Sequence, residues 1–184
     1  AQHHYPNENK EKVDKNIPAE FIAEGVDRTR VWFYYLHAIS GGIKSSHAFK
    51  NVIVNGIVIA EDGKKMSKKL QNYPDPMLVM EKYGADALRA YILASPVVLA
   101  ENLNFSEKGV EESLRKNIML LNNIYNFYQM YVSDLNEADF SKYLTSSNIL
   151  DKWILFNING LVKEVEEAML SYNLNMAIRP ITTF

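Results

Sequence analysis

The sequence contains no cysteine among its 184 residues, which excludes a disulfide framework and any thiolate metal site and leaves the compartment open. It has little net charge: 20 Lys and Arg face 22 Asp and Glu, a formal charge of -2. The chain as a whole therefore exerts no general pull on nucleic acid or an anionic membrane, and any phosphate binding must be local. No apolar run approaches the roughly 20 residues of a membrane span. The opening Ala1-Gln2-His3-His4-Tyr5-Pro6 is not a signal peptide, so the cytoplasm is the expected location. The absence of an initiating Met suggests a piece of something longer. His3, His4, His37 and His47 stand at no ligand spacing, so no metal site is expected. There is no internal repeat and no low-complexity tract. What remains is ordinary globular composition, 47% hydrophobic and 23% charged, enough to bury the core of one domain or two small ones.

Residues 1 to 18 are polar and end in Ile17-Pro18, an irregular approach to the first buried element. Phe21-Ile22-Ala23 reads as a short strand closed by Glu24-Gly25. From Asp27 the apolar spacing of Val31, Trp32, Tyr34, Tyr35, Leu36 and Ile39 predicts a helix of about three turns that stops at Gly41-Gly42. Strand, acidic turn and helix in that order predict an α/β unit. Val52-Ile53-Val54 and Ile57-Val58-Ile59 give the strongest β signal in the chain. Asn55-Gly56 and Asp62-Gly63 are both able to turn it; Asp62-Gly63 is favoured, because its neighbours Glu61, Lys64 and Lys65 suit a projecting loop. Asn72-Tyr73-Pro74-Asp75-Pro76 follows as an extended connector.

Asp75 then has the chemistry of an N-cap with Pro76 at the first helical position. Two short helices, Pro76 to Tyr83 and Ala85 to Ala94, are separated by Gly84. Ser106 can cap a long helix that carries Val110, Leu114, Ile118, Leu121, Tyr125 and Tyr128 on one face. Ile149 to Leu170 and Leu174 onward are two more helices, and this half reads as an antiparallel bundle. Its aromatics Tyr125, Phe127, Tyr128, Tyr131, Trp153 and Phe156 are expected in the helix core rather than as a base-stacking platform. Glu164, Glu166 and Glu167 read as a solvated face.

The stretch Asp62-Gly63-Lys64-Lys65-Met66-Ser67-Lys68-Lys69 places four lysines within six positions directly after a strand. They repel one another unless an anion neutralises them. A polyphosphate would serve, with ammonium groups and backbone N–H donors stabilising charge that grows on a departing pyrophosphate. On composition alone a plain solvated lysine loop is the favoured reading, because short basic runs are common. Glu24, Gly25 and Asp27 likewise read either as an acidic ligand-binding turn or as a plain turn and helix cap. Trp32 reads either as a pocket wall or as a core aromatic.

The order of residues favours the sharper readings. Lys65-Met66-Ser67-Lys68-Lys69 resembles the KMSKS signature of class I aminoacyl-tRNA synthetases, whose fifth position varies. Glu24-Gly25-Val26-Asp27-Arg28-Thr29-Arg30-Val31-Trp32-Phe33-Tyr34 is similar to the segment that usually reads EGxDQTRGWFY in the isoleucyl branch of that family. It departs at Arg28 and Val31. The resemblance continues through Phe49 to Gly56, Asn72 to Pro76, Tyr83 to Arg89 and Ala100 to Phe105, covering most of residues 17 to 110. It is weaker at Tyr172-Asn173-Leu174 and Ala177 to Pro180. The valyl and leucyl branches share the loop and the Gly-Ala-Asp-Ala-Leu-Arg helix, so the choice of isoleucine rests on Asp27 to Tyr34 and the Asn-Tyr-Pro-Asp-Pro connector.

The resemblance implies an α/β then all-α fold: the second part of a Rossmann-like catalytic domain over residues 1–60, the KMSKS loop and a connecting helical region over 61–105, and the start of a truncated anticodon-binding helix bundle over 106–184. It implies that Lys65 and Lys68 act on the phosphates of ATP, that Met66 and Ser67 bind ATP as part of the loop, which Ser67 helps shape, that Glu24, Gly25 and Asp27 surround the adenylate, and that Trp32 walls the amino-acid pocket. Its implied substrates are isoleucine, ATP with Mg²⁺, and tRNA(Ile), in a monomeric parent enzyme that activates isoleucine and transfers it to tRNA. The HIGH motif, the first half of the nucleotide fold and an editing domain are missing from these residues, so the chain alone is expected to form no adenylate at a useful rate. The rival readings are a valyl enzyme, a non-catalytic tRNA-binding helical module, and a helical scaffold for protein contacts.

Overall fold

A computed structural model describes residues 4–67, 69–70, 72–132 and 146–184; Lys68 and His3 lie outside the described residues. The chain divides into two compact units, Ala1–Ile57 with Pro96–Leu103, and Val58–Ser95 with Asn104–Phe184.

The first unit begins with a helix, α1 (Lys10–Asn16), where an irregular approach was expected. Its sequence is polar but helix-compatible, with Glu11 in the first turn and Lys15 in the last, each complementing the helix dipole. It buries no residue, and Asp14 is tied instead to Lys44 by an ion pair. Strand β1 (Ala19–Gly25) runs into a 3-10 turn (Val26–Arg28), then α2 (Trp32–Lys44), then β2 (Phe49–Asn55). β1 and β2 are parallel, with Ala19 opposite Phe49, Phe21 opposite Asn51 and Gly25 opposite Asn55. Parallel strands need a crossover between them, and α2 supplies it, so the expected α/β unit forms. α2 does not stop at Gly41-Gly42. It runs on to Lys44 and ends where Ser45 takes the left-handed conformation, φ 53°, with its N–H bonded to the Gly41 carbonyl. A glycine inside a helix costs only about 1 kcal/mol, too little to end a helix alone.

The short strands β3 (Val58–Ile59) and β4 (Leu103–Asn104) pair, and within the second unit Phe105 N–H donates to the Ile59 carbonyl at 2.9 Å. A tight turn follows β3: Gly63 N–H reaches the Ala60 carbonyl at 2.9 Å and Ala60 N–H reaches the Lys64 carbonyl at 2.8 Å, with Gly63 at φ +80°. The favoured Asp62-Gly63 turn is therefore formed. The segment beyond it is not a strand, because β3 pairs with β4 instead.

Helices α3 (Pro76–Tyr83) and α4 (Ala85–Leu93) stand as expected around Gly84, which holds φ 86°. Asp75 Oδ1 accepts the Met77 N–H at 2.8 Å, with Pro76 between them. Val79, Tyr83, Ala87 and Val110 form the buried core, with Leu88, Tyr91, Phe105, Leu114 and Ile118 packed against it.

The long helix after Ser106 is divided. α5 (Glu107–Ser113) passes through a π-helical stretch (Leu114–Met119) into α6 (Leu120–Val132). Ser106 makes no side-chain cap; its hydroxyl donates to Glu61 at 3.4 Å. The wider π turn rotates the apolar stripe. Val110 is fully buried, whereas Leu121, Tyr125 and Tyr128 are exposed. The helix-core expectation also fails for Phe127, Tyr131, Trp153 (61% exposed) and Phe156 (78% exposed); no helix among the described residues covers those faces. α7 (Ile149–Leu170) and α8 (Leu174–Thr183) form over the expected ranges and pack on each other, with Glu164, Glu166 and Glu167 solvated. No helix of the described residues is long and apolar enough to cross a membrane.

Candidate functional site

The residues singled out in sequence fall in both units: Glu24, Gly25, Asp27 and Trp32 in the first, Lys65, Met66 and Ser67 in the second. Each half is built by different means.

In the first unit the parallel register carries β1 to its end at Gly25, opposite Asn55. The carboxyl ends of parallel strands are where α/β folds place ligands, because loops there are free to vary while the sheet holds their roots. Glu24 is half-buried at this edge, and Asp27 follows, exposed, in the 3-10 turn. A Cβ on Gly25 would lie 2.6 Å from the Asp27 carboxylate oxygen Oδ1. Gly25 is extended, at φ -69° and ψ 155°, so glycine serves here for room and not for backbone freedom. The turn is pinned by Thr29, whose hydroxyl donates to the Val26 carbonyl at 2.9 Å. Arg28 stands beside Asp27, Nε to Oδ2 3.8 Å, with both side chains more than half exposed, a geometry that contributes little to stability.

Trp32 opens α2 and is 38% exposed. Its ring leans on Phe33 at 5.6 Å between centroids, and Phe33 packs on Phe49 at 6.1 Å. The indole thus meets an aromatic row at a tilt while part of it stays open. His37 packs against the same Phe49 at 5.3 Å, an ordinary structural contact. Among the described residues no group of three or more His, Asp or Glu side chains comes together.

In the second unit the tight turn after β3 leads into Lys65, Met66 and Ser67. Lys64 is taken up by Asp62, Nζ to Oδ2 3.2 Å, and its backbone N–H donates to Asp62 Oδ1 at 3.0 Å. That backbone bond, then the ammonium group, holds the Asp62 carboxyl below its ordinary value. Lys65 and Lys69 are exposed, and no described carboxylate lies within ion-pair distance of either. Lys68 completes the predicted cationic set but lies outside the described residues.

Met66 points the other way. It lines an apolar cavity of about 240 Å³ with Val58, Tyr73, Pro74, Val79 and Phe105. It also borders a more polar cavity of about 390 Å³ shared with Glu61, Asn72, Tyr73 and Glu107. The extended chain therefore alternates, an ammonium group to solvent and a thioether to the interior. Asn72 closes the segment: its Oδ1 accepts the Ser67 N–H at 2.9 Å and its Nδ2 donates to the Lys65 carbonyl at 3.2 Å. Sequence reasoning placed Asn72 in a mere connector. The available signal was its carboxamide, which accepts at one atom and donates from another.

Comparison with known proteins came from three directions. The family described as "tRNA synthetases class I (I, L, M and V)" matches residues 1–104. The chain is 53% identical to an isoleucine–tRNA ligase of Chlamydia caviae, covering 100% of this chain and 18% of that protein. It is 47% identical to the isoleucine–tRNA ligase of Protochlamydia amoebophila, again over 100% of this chain and 18% of the relative. It is also 47% identical to the cytoplasmic isoleucine–tRNA ligase of Caenorhabditis elegans, 17% of which is covered. The chain thus spans under a fifth of the length of these relatives. Among solved structures, the LeuRS–tRNA–LeuAMS ternary complex of Agrobacterium radiobacter K84 matches with a TM-score of 0.68 and 19% identity, over 90% of this chain and 22% of that one. That likeness concerns the fold.

Proposed function

This chain belongs to the class I tRNA synthetases of the I, L, M and V group, and we propose that it is the loop-bearing part of a ligase that activates isoleucine and joins it to tRNA(Ile). The single observation that carries the reading is the presentation of Lys65 to solvent on a segment whose Met66 lines an apolar cavity and whose backbone is bonded by Asn72. The isoleucine-specific names of relatives 47–53% identical over the whole chain support isoleucine over valine.

In this reading the isoleucine carboxylate attacks the α-phosphate of ATP, forming isoleucyl-adenylate and releasing pyrophosphate, and the acyl group then passes to tRNA. No protein nucleophile is needed, so positioning and charge neutralisation carry the first step. Lys65 and Lys68 meet the phosphates, with Met66 and Ser67 setting the loop's path. Glu24, Gly25 and Asp27 form the adenylate edge, where a carboxylate accepts two ribose hydroxyl bonds. Trp32 walls the amino-acid pocket. The loop offers ammonium and N–H donors, which suit phosphate oxygens and not a cation, so Mg²⁺ would come with the nucleotide. Residues 1–60 serve as the end of the catalytic domain, 61–105 as loop and connecting region, and 106–184 as the start of the anticodon-binding helices, in a cytoplasmic, monomeric enzyme. The two-stranded parallel pair supports this: such sheets are normally covered on both faces, yet Phe21 and Val52 are exposed here.

The test is isoleucine-dependent exchange of pyrophosphate into ATP by the full-length enzyme that carries these residues. Lys65→Ala and Lys68→Ala should each lower kcat by about 10²–10³-fold, the usual effect of removing one donor to developing charge. Normal turnover by the double variant would refute the reading, as would activation of valine in preference to isoleucine. The 184 residues alone should show no exchange.

A further inference from the structure

We propose that Asn72 is a positioning residue for Lys65, clasping the segment that carries it through both halves of one carboxamide; this rests on the phosphate-binding role given to Lys65 above. The two bonds, Ser67 N–H to Oδ1 at 2.9 Å and Nδ2 to the Lys65 carbonyl at 3.2 Å, fall on either side of Met66. Residue 66 is thereby held as if paired with a neighbouring strand, although none of the strands among the described residues supplies these bonds. Its side chain lines the apolar cavity together with Val58, Val79 and Phe105, so the segment turns its thioether to the apolar side while Asn72 holds it along its edge.

Asn72 is itself rooted. Tyr73 and Pro74 line the same cavity, and Asp75 caps α3 at Met77, whose Val79 and Tyr83 belong to the buried core. The clasp therefore links the backbone under Lys65 to the buried core of the unit over a few residues. A long ammonium side chain is conformationally free, and a backbone held in place beneath it reduces what must be ordered when a phosphate is engaged. A neutral carboxamide does this without drawing the ammonium group away from its ligand, as a carboxylate at the same place would.

The decisive variant is Asn72→Leu, similar in shape but unable to form either bond, made in the full-length enzyme. Amide hydrogen exchange at Ser67 should accelerate at least about tenfold while the amides of Val79 and Val110 keep their protection, the former reporting the clasp and the latter the fold. In isoleucine-dependent pyrophosphate exchange, kcat should fall about tenfold or more with the KM for isoleucine unchanged, a split that general loosening of the fold would not produce. Should Asn72→Leu not fold, Asn72→Ala carries the same test with the same two readouts: faster exchange at the Ser67 amide with Val79 and Val110 still protected, and a lower kcat. Unchanged Ser67 exchange in Asn72→Leu, or a loosened amide with wild-type kcat, would overturn the proposal. A wild-type enzyme that forms no adenylate would instead sink the ligase reading, and the Ser67 amide would then judge the clasp by itself.

Discussion

A Cβ on Gly56 would stand 1.8 Å from the carbonyl oxygen of Glu101, closer than any two nonbonded atoms can come. The glycine lets the end of β2 meet the returning segment, where Gly56 N–H donates to the Val97 carbonyl at 2.7 Å and Asn102 Oδ1 accepts the Ile57 N–H at 3.3 Å. The obstacle is backbone, so it cannot swing aside. Gly56→Ala should therefore destabilise the protein by about 3 kcal/mol, the upper part of the range for overpacking, read as a fall in the denaturant midpoint of unfolding.

Gly41 and Gly42 should respond in the opposite direction. Both lie inside α2, exposed, with nothing within 4 Å of where a Cβ would go. Each contributes only backbone freedom to the unfolded chain, so Gly41→Ala and Gly42→Ala should each stabilise by about 0.5–1 kcal/mol. Thermal unfolding of the single variants checks the sign, and a loss of stability in either would mean that the site is not the open helix surface described.

These glycines also show why part of the fold was legible and part was not. Signals that act within a few residues were readable: Asp75 capping across Pro76, Gly84 at positive φ between α3 and α4, the apolar run of β1, and the span of α7. The features missed depend on distant partners or on sums of small terms. Ser106 has the chemistry of a cap but gives its hydroxyl to Glu61, 45 positions away. The π-helical stretch shifts the face of α6 without any proline or glycine to announce it. α1 buries nothing and gains its tie through Lys44, 30 positions away. At the candidate site, the order of residues carried Glu24 to Trp32 and Lys65 to Ser67, whereas the clasp by Asn72 could be seen only once the chain had been folded back on itself.

Acid should act on the loop through Asp62. Its carboxyl is held below its ordinary value first by the Lys64 backbone N–H and then by the Lys64 ammonium group. A carboxyl depressed in the folded state contributes stability above its unfolded pKa, and loses it as pH falls through the lower folded value. Asp62 should therefore titrate below an ordinary aspartate in an NMR pH titration. Lys64→Ala should relieve part of that depression and leave the rest, because the backbone donor survives the substitution. Full return of Asp62 to an ordinary aspartate in Lys64→Ala would show that the ammonium group, not the peptide N–H, is the main cause.

The ties within the second unit should be unequal in strength. Asn175 is 3% exposed and donates from Nδ2 to the carbonyls of Ala94 and Ser95, at 2.7 and 3.2 Å, across 81 and 80 positions of sequence. Those carbonyls lie at and just past the end of α4, where helices leave acceptors without helical partners. Removing the donor takes away two hydrogen bonds at a side chain shielded from water, which costs about 1–3 kcal/mol, and Asn175→Ala should fall at the upper end because both bonds are lost together. Asn173, two residues earlier and exposed, accepts the Met176 N–H at only 3.4 Å. As a long, solvated cap its removal should cost about 0.5 kcal/mol, the low end for caps. Equilibrium unfolding of Asn175→Ala and Asn173→Ala side by side should thus separate them by more than about 1 kcal/mol. Equal losses would mean that α8 is held by its cap and not by its grip on the end of α4.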